Sequence, residues 1–93
     1  MTSKHHETIS KAPLYLGHHS QLTKALEELA ELQLILARYN HEPARYLSAE
    51  PIIDEIADVA IMNHQLACMF GYAAVSERID FKIERLKKLI DNS

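Results

Sequence analysis

Apolar residues recur every three or four positions over most of this chain, and they rarely alternate. Ile79, Ile83, Leu86 and Ile90 keep helical spacing, which predicts a helix over about 76–90. A second helical pattern begins near Glu50 and Pro51, where proline suits a first turn. It ends at Gly71, a residue fit to close a helix. A third begins at 19 or 20 and ends at 39, before the breaker NHEP, Asn40 to Pro43. In that segment Leu22, Ala25, Leu26, Leu29, Leu32, Leu34, Ile35 and Leu36 point in nearly every direction, as in a helix buried on several sides. No two alternating runs flank a turn dipeptide, so hairpins are not expected. Residues 1–17 read as a loose arm, with APLYLG packing on the body, and 18–93 as one helical domain. Three helices cannot enclose so much apolar surface. The prediction is an all-α antiparallel helical bundle completed by oligomerisation, as a homodimer or homotetramer.

The polar positions complicate that picture. EELAE (Glu27 to Glu31) and DEIAD (Asp54 to Asp58) both carry acids at their first, second and fifth positions. At about 100° per residue, Glu27, Glu31 and Glu28 fall near 0°, 40° and 100° on their helix, and Asp54, Asp58 and Glu55 take the same angles on the next. The surrounding segments align as well. ALEELAELQLIL (Ala25 to Leu36) lies over IIDEIADVAIMN (Ile52 to Asn63) at a constant offset of 27 positions. Two antiparallel helices can bring such acidic arcs face to face.

Solvation, the helix dipole and local ion pairs are the simple accounts of these acids. The dipole explains Asp54 and Glu55, which lie in a first turn. It explains Asp58 less well, since Asp58 lies deeper among Ile56, Ala57, Val59, Ala60 and Ile61. Lys24 can reach Glu27 or Glu28. No Lys or Arg occurs between Tyr46 and Glu77, so the second triplet has no cation on its own helix. A divalent cation offers another resolution, and an all-oxygen donor set suits Mg²⁺ or Mn²⁺. A di-iron bundle needs Glu-x-x-His, which does not occur here, and the chain has no glycine-centred EF-hand loop.

Glu27, Glu28 and Glu31, followed after 23 residues by Glu55 and Asp58, form an Glu-Glu-x-x-Glu … Glu-x-x-Asp pattern. The pattern resembles that of the MazG-like nucleotide pyrophosphohydrolases of the all-α NTP pyrophosphatase superfamily. DEIADVAIM and KIERLKKL are similar to that family's second and third helices, and the likeness spans roughly 21–90. The resemblance implies Mg²⁺-dependent hydrolysis of a nucleoside triphosphate to the monophosphate and pyrophosphate. It implies metal ligands at Glu28, Glu31, Glu55 and Asp58, and a supporting catalytic role for Glu27 in binding a second metal or orienting water. It implies phosphate contacts from Lys82 and Arg85, which otherwise read as part of a solvated basic face. Asn63 can meet a base edge or make a polar contact between helices. Gln21 is a candidate for the nucleotide pocket. A non-catalytic helical interaction protein, or a pyrophosphohydrolase of phosphoribosyl nucleotides, are the alternatives.

Composition narrows the field. A chain of 93 residues fits one domain. The formal charge of −3 does not suggest a nucleic-acid polymer as partner. The most apolar stretch, 52–70, contains Asp54, Glu55 and Asp58, so no membrane span is expected. A single cysteine, Cys68, excludes an internal disulfide and agrees with a reducing, cytoplasmic compartment. It reads as a small buried hydrophobe. The histidine pairs His5–His6 and His18–His19 read as surface residues, because neighbours on a helix point about 100° apart and make a poor chelate.

Overall fold

A computed structural model describes all residues, Met1–Ser93. Its regular elements are all helical: α1 (Ser3–Leu16), α2 (His18–His41), a single 3-10 turn (Pro43–Arg45), α3 (Glu50–Phe70) and α4 (Tyr72–Asp91). The segment expected as a loose arm is the helix α1, packed against both α2 and α3. Thr2 starts it with a reciprocal cap. The Thr2 hydroxyl accepts from the His5 amide at 3.1 Å, and the Thr2 amide donates to His5 Nδ1 at 3.3 Å. Ile9 on its inner face is buried. α1 also tolerates Pro13, whose missing N–H removes one helical hydrogen bond.

Single glycines make two of the three helix junctions. Gly17 (φ 100°) separates α1 from α2, and Gly71 (φ 127°) separates α3 from α4. L-residues avoid such values, and glycine adopts them without steric cost. The Gly71 amide still donates to the Ala67 carbonyl at 2.9 Å, which completes the last helical hydrogen bond of α3. α4 then starts at Tyr72 rather than near 76. The intervening YAAV lacks a polar start signal, but its alanines are strong helix formers. α3 starts as expected, with Pro51 in its first turn and the Ser48 hydroxyl accepting from the Glu50 amide at 3.1 Å.

The inner faces of α2 and α3 carry equivalent residues. On α2, Ala25 and Glu28 are buried and Leu32 and Ile35 half-buried. On α3, Glu55, Val59 and Met62 are buried and Ile52 half-buried. These two stripes are the same four positions of the internal repeat, Ala25/Ile52, Glu28/Glu55, Leu32/Val59 and Ile35/Met62. The alignment seen in the sequence therefore marks one packing face used twice.

The resulting core is small. Only 7 of 93 residues are buried, and three of these are polar: Glu28, Glu55 and Gln65. α4 buries none and packs on α3, with only Tyr72 of its first turn also meeting α1, at His6. The Cα radius of gyration is 15.9 Å, against about 12 Å for a compact chain of this length. The accessible surface is 7373 Å² for a 10.6 kDa chain, whereas a compact monomer exposes about 5,500 Å². Leu26, expected to be covered, is 62% exposed. No helix is long and apolar enough to cross a membrane.

Candidate functional site

The acidic repeat produces the most polar part of the interior. Glu28 on α2 and Glu55 on α3 are 6% and 8% exposed. A carboxylate oxygen from each, and one from exposed Glu31, all lie within 4.8 Å of one another. Lys24, one turn before Glu28, places its Nζ 3.0 Å from Glu28 Oε1. The other Glu28 oxygen, Oε2, is buried with no hydrogen-bond partner, and so is Glu55 Oε1. Orphaned buried carboxylate oxygens are costly unless something positive, or a proton, is shared between them.

The electrostatics follow from this arrangement. Glu28 is held below its ordinary pKa, first by its hydrogen bond to Lys24 and then by Glu55. Glu55 is pushed up to about 7, first by the Glu28 carboxylate facing it, then by burial and the charges of Glu28, Glu31 and Asp58. Lys24 is raised by its bond to Glu28. Two glutamates at equivalent repeat positions thus split into an ionised and a proton-holding member. The asymmetry comes from Lys24, whose counterpart 27 positions on is Pro51, a residue with no charge.

The structure brings Glu28, Glu31 and Glu55 together. Asp58 is exposed and lines a small crevice with Lys24, Glu28, Ile61 and Met62, at the rim of the trio. The helix-dipole argument accounted for Glu55 and left Asp58 over, yet Glu55 is the buried acid and Asp58 the exposed one. The apolar neighbours of Asp58 in sequence lie on other sides of α3. Glu27 is exposed beside Gln21 and Lys24 in a larger crevice of about 660 Å³, which Ile61, Met62 and Gln65 close from α3. Gln65 is 3% exposed and its Oε1 has no partner.

Three predicted residues stand apart. Asn63 is exposed and lines a different cavity, between α3 and α4. Lys82 and Arg85 are exposed on α4, which makes no contact with α2 in this chain. Sequence reading missed Gln65 and underused Lys24. The signal for Gln65 was available, since Glu55, Val59, Met62 and Gln65 form one helical stripe, and a polar residue on a packing stripe needs a partner.

The oxygen-only donor set, its burial and its two unpartnered oxygens fit a hard divalent cation such as Mg²⁺ or Mn²⁺. No protein-family model matches the chain, and searches of curated proteins and of solved structures find no match.

Proposed function

We propose that this protein is a divalent-metal-dependent nucleotide pyrophosphohydrolase, cleaving a nucleoside triphosphate between its α- and β-phosphates in the manner of the MazG-like enzymes its motifs resemble. The observation that carries the reading is the pair of buried glutamates, Glu28 and Glu55, each with an oxygen lacking a partner and both facing Glu31. Glu28, Glu31 and Glu55 would hold Mg²⁺, with Asp58 joining from the rim. The bound ion supplies Lewis acidity toward phosphate oxygens and lowers the pKa of water.

The chain's own groups supply the rest. Lys24 keeps Glu28 ionised and adds a positive charge at the mouth of the site. The crevice beside it, between Gln21, Lys24, Glu27 and Gln65, suits the nucleoside end of a substrate. Its two amides can donate to and accept from a base edge. Glu27, on the same wall, is positioned to orient water. Phosphoryl transfer depends on positioning and charge neutralisation more than on covalent help, so this inventory suffices for the reaction. In this reading α2 and α3 form an antiparallel pair, and assembly with further copies covers the exposed leucines of α2 and the apolar face of α4.

The test is a panel of nucleoside triphosphates and phosphoribosyl nucleotides incubated with Mg²⁺. The expected products are pyrophosphate and a monophosphate, with EDTA abolishing turnover. Glu55→Gln should lower the rate by about 100-fold or more, the scale on which single active-site groups act. Release of single phosphate with a diphosphate product overturns the proposed bond cleavage. The unpartnered apolar face of α4 favours one other reading, a helical interaction protein, and no release from any nucleotide would support it.

A further inference from the structure

The acidic trio is not the only cluster of potential ligands. His6 leaves α1 toward α3, where its Nδ1 lies 2.7 Å from His64 Nε2. Cys68 follows His64 by one helical turn, and ligand atoms of His6, His64 and Cys68 all lie within 4.8 Å of one another. All three side chains are half-buried. The Tyr72 ring rests against both imidazoles, its centroid 4.6 Å from His6 and 5.3 Å from His64. Gly71 makes this possible, because its positive φ turns the chain back at the end of α3. The neighbouring His5 is already engaged in the cap of α1, so the two histidines of the pair serve different purposes.

The donor set differs from that of the acidic site. It has two nitrogens and one sulfur and no oxygen, which suits a borderline ion of the zinc class and disfavours Mg²⁺. We infer that His6, His64 and Cys68 form a second metal site, for Zn²⁺ or an ion of similar preference, clasping α1 to α3. Three protein ligands leave a fourth, open position in a tetrahedral site.

The proton balance is explicit. At 2.7 Å one imidazole N–H donates to the other ring's nitrogen. Ion binding needs a lone pair from each nitrogen, so the shared proton moves to the other nitrogen of the donor ring. The Cys68 thiol gives its proton to solvent, and one proton is released per ion bound. With metal–nitrogen bonds of about 2.0–2.1 Å, two tetrahedral nitrogens sit roughly 3.3 Å apart. The rings therefore separate by roughly 0.6 Å on loading, a small rotation of α1 side chains rather than a refolding. The site is independent of the pyrophosphohydrolase reading, since it shares no residue with the acidic trio.

The full-length protein, reduced and under nitrogen, would be titrated with Co²⁺ in excess Mg²⁺. The expected result is one equivalent bound, with a thiolate-to-cobalt charge-transfer band in the near ultraviolet, intense visible bands of tetrahedral Co²⁺, and displacement of both by Zn²⁺. Cys68→Ser should remove the charge-transfer band. His6→Gln and His64→Gln should each weaken binding by at least the roughly 10- to 100-fold that even an outer-shell partner contributes. Glu28→Gln and His5→Gln should leave the titration unchanged. Zn²⁺ should raise the melting temperature of the wild type and not that of His6→Gln, an effect that survives even if Cys68→Ser fails to fold. Absence of the charge-transfer band in the wild type overturns the site. So does a band that persists at full affinity in both His6→Gln and His64→Gln.

Discussion

At the scale of single residues, the informative contrast is between Glu28 and Glu55, two glutamates that the repeat makes equivalent and Lys24 makes different. Glu55 holds its proton up to about pH 7 in the folded protein, against an ordinary value of 4.5. Across that window the folded chain binds more protons than the unfolded one, so this group's stability contribution is full below about pH 4.5 and is lost as pH rises through 7. Glu28, with a lowered pKa, works in the other direction, and its contribution is lost only as pH falls below its ordinary value. His64 is held below its ordinary pKa of 6.5, first by burial and then by His6, and so costs stability as pH falls below that value. Glu55→Gln isolates the one term. In EDTA, the melting temperature of the wild type relative to Glu55→Gln should fall between pH 5 and pH 7.5, and saturating Mg²⁺ should cancel that fall, because the ion needs the ionised carboxylate. A difference that stays flat in EDTA would remove the raised pKa of Glu55 from the account. The acids themselves were legible as a motif. Which of them would be buried was not, because a first-turn acid on an isolated helix gives no sign of what the neighbouring helix puts opposite it. The pairing of His6 with His64 was hidden for the same reason, since only the docking of α1 brings them together. His64 and Cys68, one turn apart, were the visible half.

At the scale of elements, helix cores were readable and helix ends less so. The limits of α3 followed from Pro51 and Gly71, while α1 was missed because its apolar stripe, Ile9, Ala12 and Pro13, is short and contains a proline that reads as a breaker. Its order comes from the Thr2–His5 cap and from contacts with α2 and α3. The glycine joints make a sharper claim. A Cβ at Gly71 would meet only the Ala74 side chain at 3.7 Å, so the space for alanine exists and the backbone conformation is the obstacle. Gly71→Ala should therefore lower stability by about 1–3 kcal/mol, the strain of a residue held in such a conformation. It should also disturb Tyr72 against the two imidazoles. Urea titration of both proteins measures the first effect, and an unchanged midpoint would mean that the α3–α4 joint is not fixed at this angle.

At the scale of the whole molecule, the surface is larger than a chain of this mass exposes when compact, by roughly 1,900 Å² on the scaling used above. An excess of that size is comparable to one subunit's share of a large obligate interface. Lys82 and Arg85 sit on α4, the one α-helix with no buried residue, out of contact with α2. If copies assemble through α4, these cations reach the acidic site of a neighbour. Sedimentation should then give a mass of two or four chains. Lys82→Ala with Arg85→Ala should lose activity while keeping Mg²⁺ binding, and mixing it with Glu55→Gln should restore part of the lost activity. A monomer in solution, or no recovery on mixing, would return the two cations to the solvated face they otherwise resemble. All-helical architecture was plain in the sequence, and the surplus of apolar positions on the first predicted helix already signalled an unfinished enclosure. The splay of α4 was not readable, because a helical period fixes which face is apolar and leaves open where that face goes. That splay gives the chain two different lifetimes. The α2–α3 pair, with its buried stripes, opens only when the whole fold opens, whereas α4 hangs from one glycine with nothing buried and can fray or swing without disturbing the carboxylates. A lone chain would therefore meet a protease first along its last helix, and if copies assemble through α4, dilution would expose it.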